Sequence, residues 1–374
     1  GMFPNYDGNE AQIASLDQAA QAYRFELEAN LDSTVSTLAA QGVHPLIYRL
    51  DVWSNFVRIA ANPSAYGFVD VRRTVQGDSS VNPDQFLFWD VLHATTAGHF
   101  QIAKEANRTL TGPRAVTAKA LNISTRVVVG TGENVAIGGF IISGTVAKRV
   151  LIRGIGPSLT GSGLQDVLAD PTLEIFNQAN TSLAINDNWK TTQEMEIAAT
   201  GIQPENDLES AIIWTLPPGQ YTAVLAGRNG GVGNSLLEVY DLDPAVDAAL
   251  ANISTRGFVG VGDNVLIGGF IVGTGEGPIV TVRAIGPSLI NSGITNPLLD
   301  PTIELHNGNG DGIGFNDNWK DTQESAATRA TGLGPADDRE AALVASLAPG
   351  NYTVIVRGKN NTTGVALVEA YRIP

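Results

Sequence analysis

The heptapeptide RGIGPSL at residues 153–159 returns as RAIGPSL at 283–289, and the distance between the two sets the architecture. NISTR at 122–126 returns at 252–256, DPTLEIFN at 170–177 returns as DPTIELHN at 300–307, and NDNWK at 186–190 returns at 316–320. The spacing is the same each time. Further on, PPGQYTAVLAG is matched by APGNYTVIVRG after one inserted residue, so that Gly219 corresponds to Gly350. Solenoid repeats have periods of roughly 20–50 residues. A period near 130 is a duplicated domain.

Within each copy, short β-rich runs alternate with Gly, Pro, Asn and Asp: TRVVVG, VAIGGFIISG, KRVLIRGIG, LEIFN, SAIIWTL, QYTAVLAG and SLLEVYDL in the first. Many short strands at close spacing predict a sandwich or barrel. The expectation is two all-β, jelly-roll-like sandwiches over 119–245 and 246–374, meeting near DPAVDAALA at 243–251.

Before residue 119 the period changes. Ile13, Leu16, Tyr23, Leu27, Leu31, Val35 and Leu38 follow the buried stripe of one long amphipathic helix over about 10–41. PLIYRL at 45–50 reads as a buried parallel strand, and DVWSNFVRIAANP as a helix. A further helix begins near Thr95 or Thr96, either of which can cap it, and runs through HFQIAKEA. Residues 1–110 therefore predict a partial α/β domain, joined by a linker at 111–118. A parallel sheet needs several strands covered on both faces, so this region reads as a piece of something larger.

Composition narrows the function classes. With 38 acidic and 23 basic residues the formal net charge is -15, which argues against nucleic acid or an anionic membrane surface as the main partner. The chain has no cysteine, so disulfides, thiolate metal sites and a cysteine nucleophile are excluded. No apolar run approaches the roughly 18 residues of a membrane span. The opening GMFPNYDGNE reads as an interior segment with no signal peptide.

Asp90-Val-Leu-His93 is the strongest catalytic phrase. A carboxylate three residues before an imidazole can hold one ring nitrogen and leave the other for a substrate. Gly77-Asp-Ser79 offers a serine, but the preceding VRRTVQ is not a buried apolar strand and Pro83 obstructs a following helix. A nucleophile needs a rigid strand-to-helix turn beside backbone donors. Ser79 thus reads as part of a polar turn.

The remaining candidates read mainly as structure. His44 and His99 read as surface or packing residues, and His306 matches Phe176, which speaks against a metal role shared by both copies. GTGEN at 130–134 and GVGDN at 260–264 lead into strands, so they read as hairpin turns and not as phosphate loops. NDNWK reads as Asx turns with Trp189 and Trp319 in the core, although Asn and Asp oxygens also suit Ca²⁺. The sequons at Asn122 and Asn252 matter only in a eukaryotic secretory pathway.

The phrase YGFVDV…PDQFLFWDVLHATTAGHFQIA resembles the C-terminal block of SGNH hydrolases, the GDSL-type esterases, and the resemblance covers roughly residues 4–106. It implies a flavodoxin-like α/β fragment in which His93 is the general base and Asp90 its orienting acid. The implied activity is serine-dependent hydrolysis of an ester or acetylated carbohydrate. Ala94 stands where the family has Pro. The family's nucleophile and oxyanion blocks come earlier in the fold. We therefore expect them, with a signal peptide, before residue 1, and expect the 374-residue chain alone to be a very poor esterase.

The repeats resemble calcium-associated β-sandwich modules of the pre-peptidase C-terminal type. They resemble more closely the paired C-terminal domains of secreted proteins from environmental bacteria. The first likeness implies Asp170, Asp187 and Asp207, with Asp300, Asp317 and Asp338, as candidate calcium ligands. Together the resemblances imply an extracellular or cell-surface protein whose β-domains contact a surface or polysaccharide. A non-catalytic adhesion protein is the alternative. The α/β piece alone would expose apolar faces, so association or partial disorder is expected there.

Overall fold

The structure is a computed structural model that describes residues 49–90, 93–111, 119–246, 248–273, 278–321 and 325–373, together with scattered positions between 19 and 43. The described positions from 19 to 38 are helical, but the stripe read as buried is not: Tyr23 and Leu27 are exposed. Most of PLIYRL and His44 lie outside the described residues, and Arg49 and Leu50 are not in a strand.

Helix α1 (Val52–Ala61) begins where Asp51 accepts a hydrogen bond from the Ser54 amide at 2.9 Å. Two short strands follow, β1 (Asp70–Thr74) and β2 (Phe86–Phe88), and they pair in parallel. Helix α2 (Thr96–Thr111) comes next, and Thr95 is its cap: its hydroxyl accepts from the Gly98 amide at 3.1 Å and donates to the Phe86 carbonyl at 2.6 Å. Gly98 lets the helix press on β2, because a Cβ there would lie 2.8 Å from the Leu87 carbonyl oxygen.

From residue 119 the chain is antiparallel β. The first copy has β3 (Ala120–Val129), β4 (Ala136–Gly144), β5 (Lys148–Ile155), β6 (Pro171–Asn177) and β7 (Ser182–Asn186). A short helix α3 (Glu194–Ala198) then leads to β8 (Ser210–Leu216), β9 (Gly219–Gly227) and β10 (Gly233–Asp241). The pairings make two sheets, β3-β10-β5-β8 and β4-β9-β6-β7. This is the order of a double-sheet jelly roll.

The second copy repeats it with β11 (Ala248–Val259), β12 (Leu266–Val272), β13 (Ile279–Ile285), β14 (Pro301–Asn307), β15 (Gly312–Asn316), helix α4 (Ser325–Ala330), β16 (Ala341–Ser346), β17 (Gly350–Gly358) and β18 (Gly364–Ile373). Between the sheets Phe140 stacks on Tyr221 at 5.7 Å, and Phe270 on Tyr352 at 5.5 Å. The GTGEN and GVGDN loops are not hairpins. They carry the chain from one sheet to the other, since β3 pairs β10 while β4 pairs β9.

The two copies are not beads on a string. Strand β3 of the first pairs β12 of the second, and β11 of the second pairs β4 of the first, so the contact is reciprocal. Along the line between them β3 and β11 run parallel, Ala120 opposite Leu250 and Val128 opposite Phe258, and the matching Thr125 and Thr255 hydroxyls share a 2.8 Å hydrogen bond. Each sheet of one copy therefore continues into a sheet of the other. Edge strands that would otherwise invite pairing with other chains are consumed at this join.

The N-terminal region rests on the second copy. Val57, Ile59, Phe68, Val71, Leu87 and Phe88 form one apolar cluster with Ile279, Ala327 and Val344. Arg72 adds a 3.0 Å hydrogen bond to the Ser325 hydroxyl. Part of the apolar surface expected to need a partner thus finds it within the chain, while Tyr23, Leu27, Phe100 and Leu110 remain exposed.

Candidate functional site

Strands β1 and β2 end side by side, and the loops that follow them meet. The Trp89 carbonyl accepts from the Val75 and Gln76 amides at 3.1 and 2.7 Å, while the Trp89 amide donates to the His93 carbonyl at 2.9 Å. In open α/β sheets this carboxyl end is where ligands bind.

The second loop brings Asp90 and His93 together. His93 Nδ1 lies 2.9 and 2.8 Å from the two Asp90 oxygens, and the His93 amide donates to Oδ1 at 2.8 Å. Backbone and ring are therefore fixed by one carboxylate, which assigns the Nδ1–H tautomer and leaves Nε2 as the basic nitrogen. The imidazole side chain is 70% exposed against 23% for the carboxylate. An oriented base facing outward can take a proton from a hydroxyl presented to it.

Ser79 does not complete this pair. It is exposed in a turn, and among the described residues no hydrogen bond joins it to His93. Its neighbour Asp78 accepts from the Ser80 amide at 2.9 Å and pairs with Arg73. The hydrogen bonds from Ser80 hold the Asp78 carboxyl below its ordinary range. Beyond the turn lies the short 3₁₀ segment Pro83–Gln85, not a helix that begins at the serine. The Gly-Asp-Ser phrase is thus a polar turn, as its flanks predict.

The six aspartates separate into two kinds of place. Asp187 pairs with Arg228, which also lies 4.0 Å from Asp170. Burial and then the nearby Asp187 charge push the Asp170 carboxyl above its ordinary value. In the second copy Lys359 reaches Asp317 at 2.6 Å and Asp300 at 3.8 Å. Asp207 and Asp338 do not join these pairs, because each meets the lysine after the tryptophan: Lys190 at 2.6 Å and Lys320 at 2.7 Å. Among the described residues no group of three or more His, Asp or Glu side chains gathers as a metal would require.

The repeated phrases serve the framework. Buried Glu209 accepts from the Gly156 and Ser158 amides at 3.0 and 2.9 Å, and Glu340 does the same for Gly286 and Ser288. Gly156 has to be glycine, because a Cβ would lie 2.1 Å from the Leu168 carbonyl. In NDNWK, Asn186 accepts from the Ala211 amide at 3.0 Å, and Trp189 and Trp319 are buried as expected. Arg153 pairs with Glu238 and lies over Tyr240, whose hydroxyl burial pushes up to about 12. Arg283, Glu369 and Tyr371 repeat the arrangement.

The other histidines stay apart. His99 is an exposed residue of α2, and His306 meets Glu304 at 3.2 Å and the Gly310 carbonyl at 3.1 Å.

No family model matches this chain, and no curated protein does. Among solved structures similar to it is PNGF-II in a C2 crystal form, at 10% identity and a TM-score of 0.20, covering 70% of this chain and 58% of that one. The chain thus matches little more than half the length of PNGF-II. Another is a variant of Bacillus subtilis oxalate decarboxylase, at 9% identity and a TM-score of 0.15, covering 70% of this chain and 72% of that one. Likenesses this weak carry no argument about the site.

Proposed function

We propose that the region around residues 49–111 carries the base and orienting acid of an SGNH-type ester hydrolase, with His93 and Asp90 in those roles. The substrate class is an ester or acetylated carbohydrate, the serine comes from sequence other than Ser79, and the joined sandwiches are an accessory body that contacts a surface or polysaccharide. The observation that carries the reading is the His93–Asp90 geometry at the carboxyl end of a parallel strand pair. The acid fixes the tautomer, and the base accepts the serine proton as the acyl carbon is attacked. The same imidazole then returns that proton to the leaving alcohol, and water repeats the sequence to release the acid.

The test is turnover of a chromogenic acetyl ester by the 374-residue chain and by the same chain within its complete reading frame. We expect the complete frame to hydrolyse the ester. His93→Ala should reduce kcat by about 10⁶, as loss of a triad histidine does. Ser79→Ala should change nothing. Equal turnover with and without His93 would overturn the reading, and so would an inert complete frame, which would leave the adhesion protein.

A further inference from the structure

The N-terminal region and the second sandwich do not close on one another completely. Between them lies a cleft of about 460 Å³, lined on one side by α1, Tyr66 and α2, and on the other by Ser346, Leu347 and Ala348 at the end of β16. An α-helix rises about 1.5 Å per residue, so Gln101 and Arg108 of this lining stand roughly 8 and 18 Å along α2 from its start. The cleft is thus set apart from Asp90 and His93, which precede that start.

Its charge runs against that of the chain. The protein carries a net charge of -15, yet the cleft gathers Arg58, Lys104 and Arg108 around one acid, Glu105. Arg108 donates to the Glu105 carboxylate from Nε at 3.0 Å and from Nη2 at 2.5 Å, and Arg58 stands 3.7 Å from it. The hydrogen bonds from Arg108 hold the Glu105 carboxyl below its ordinary range, so it stays an anion and an acceptor. Lys104 is exposed and has no acidic partner among the described residues.

The neutral groups call for hydroxyls. The Tyr66 phenol makes no hydrogen bond among the described residues, and burial raises its pKa against the nearby Arg58 charge, so at neutral pH it is a donor. Gln101 spends its amide nitrogen on the Tyr66 carbonyl at 3.3 Å, which leaves its Oε1 to accept. The Glu105 oxygens accept two hydrogen bonds from Arg108, where a carboxylate has about four acceptor positions. A bare inorganic anion can use the cations but gains little from these acceptors. An anion that carries hydroxyls uses both.

We propose that this cleft binds an acidic sugar, a hexuronate unit, with its carboxylate on Lys104 and Arg58 and its ring hydroxyls shared among Tyr66, Gln101 and Glu105. The volume falls within the roughly 300–1,000 Å³ of small-molecule sites and suits a sugar of about one or two rings. The carboxylate supplies the counter-charge that Lys104 lacks. The site stands on the cleft alone, and its test needs no turnover, so it holds whether or not His93 serves an esterase.

The experiment is ligand-observed NMR titration of the full chain with D-glucuronate, D-glucose and inorganic phosphate as probes. We expect glucuronate to bind, glucose to bind at least about tenfold more weakly for want of the charged hydrogen bonds, and phosphate to bind more weakly than glucuronate. Lys104→Met, at an exposed helical position that tolerates the change, should weaken glucuronate about tenfold. Tyr66→Phe should weaken it several-fold. Lys190→Met, an exposed lysine of the first copy, should leave the affinity unchanged. Absence of glucuronate binding at about 10 mM, well above a millimolar Kd, would overturn the proposal. So would glucose or phosphate binding as tightly as glucuronate, full affinity in the Lys104→Met or Tyr66→Phe chain, or an equal loss in the Lys190→Met chain.

Discussion

On the outer face of the first sandwich, Arg149 reaches Glu196 on α3 at 2.7 Å in solvent, and Met195 is 88% exposed. At the matching positions of the second, Ile279 and Ser325 are each 2% exposed beneath the N-terminal region. The strands, their order and the Glu209 and Glu340 clasps are otherwise the same. Where the copies agree, the residues hold the jelly roll. Where they differ, the difference records what each face meets: water for the first, and α1 with β1 and β2 for the second.

The sharpest way to break this comparison is at the sandwich ends. Asp241→Ala leaves Lys148 fully buried without its counter-charge, and removing one partner of a buried pair costs about 3–5 kcal/mol. Arg372→Ala, at the matching position of the second copy, removes a cation that has no acidic partner among the described residues and should cost far less. Urea unfolding of both variants checks this. Equal losses would mean that the two ends are closed alike.

The outer faces give the next largest effect. Ile279→Arg places a charge under the N-terminal region with no acid at the position of Glu196, where α4 carries only small residues and Arg329. We expect a loss of about 2–4 kcal/mol by the cost of a buried unpaired charge. Residues 49–111 should be cut sooner in limited proteolysis than the sandwiches. The reverse change, Arg149→Ile, removes an exposed pair worth about 0–1 kcal/mol. An N-terminal region that stays protected in the Ile279→Arg chain would show that this docking face is not what holds it.

Much of the fold was legible because its strands alternate. Every β-rich run named in the first copy is a strand, and the same strand order recurs in the second. Strand β7 was missed because SLAIN buries only its last residue, Asn186, and offers no apolar alternation. Strands β1 and β2 escaped notice for a related reason: DVRRT has one buried side chain and FLF is too short to show a period. The shared sheets could not be read at all, since pairing of β3 with β12 joins residues far apart in the chain.

The candidate site divides in the same way. Asp90 and His93 sit three residues apart in one loop, so sequence spacing suffices to bring them together. Asp170 and Asp187 meet through the β6–β7 hairpin, and their partner Arg228 arrives from the loop after β9. That long-range cation, and the lysines that occupy Asp207 and Asp338, leave no local signal.

The smallest effect separates two neighbouring carboxylates. Because burial and the Asp187 charge raise the Asp170 pKa, the folded chain binds a proton there more readily than the unfolded chain does. Stability then falls as pH rises from the ordinary carboxylate value through the raised one, and ionised Asp170 opposes folding at neutral pH. Asp170→Asn should therefore melt at the same temperature as the parent or higher at pH 7, with the difference narrowing as the pH falls below the ordinary carboxylate range. Asp187→Asn should act oppositely, since it breaks the pair with Arg228, a loss of about 0–1 kcal/mol for a partly exposed ion pair. Thermal melts of both variants across that range decide it. If Asp170→Asn melted lower at pH 7 and recovered in acid, the carboxylate would be held in its charged form by Arg228 more strongly than burial and Asp187 oppose it, and the first copy would carry a tighter clamp than the Lys359 arrangement of the second.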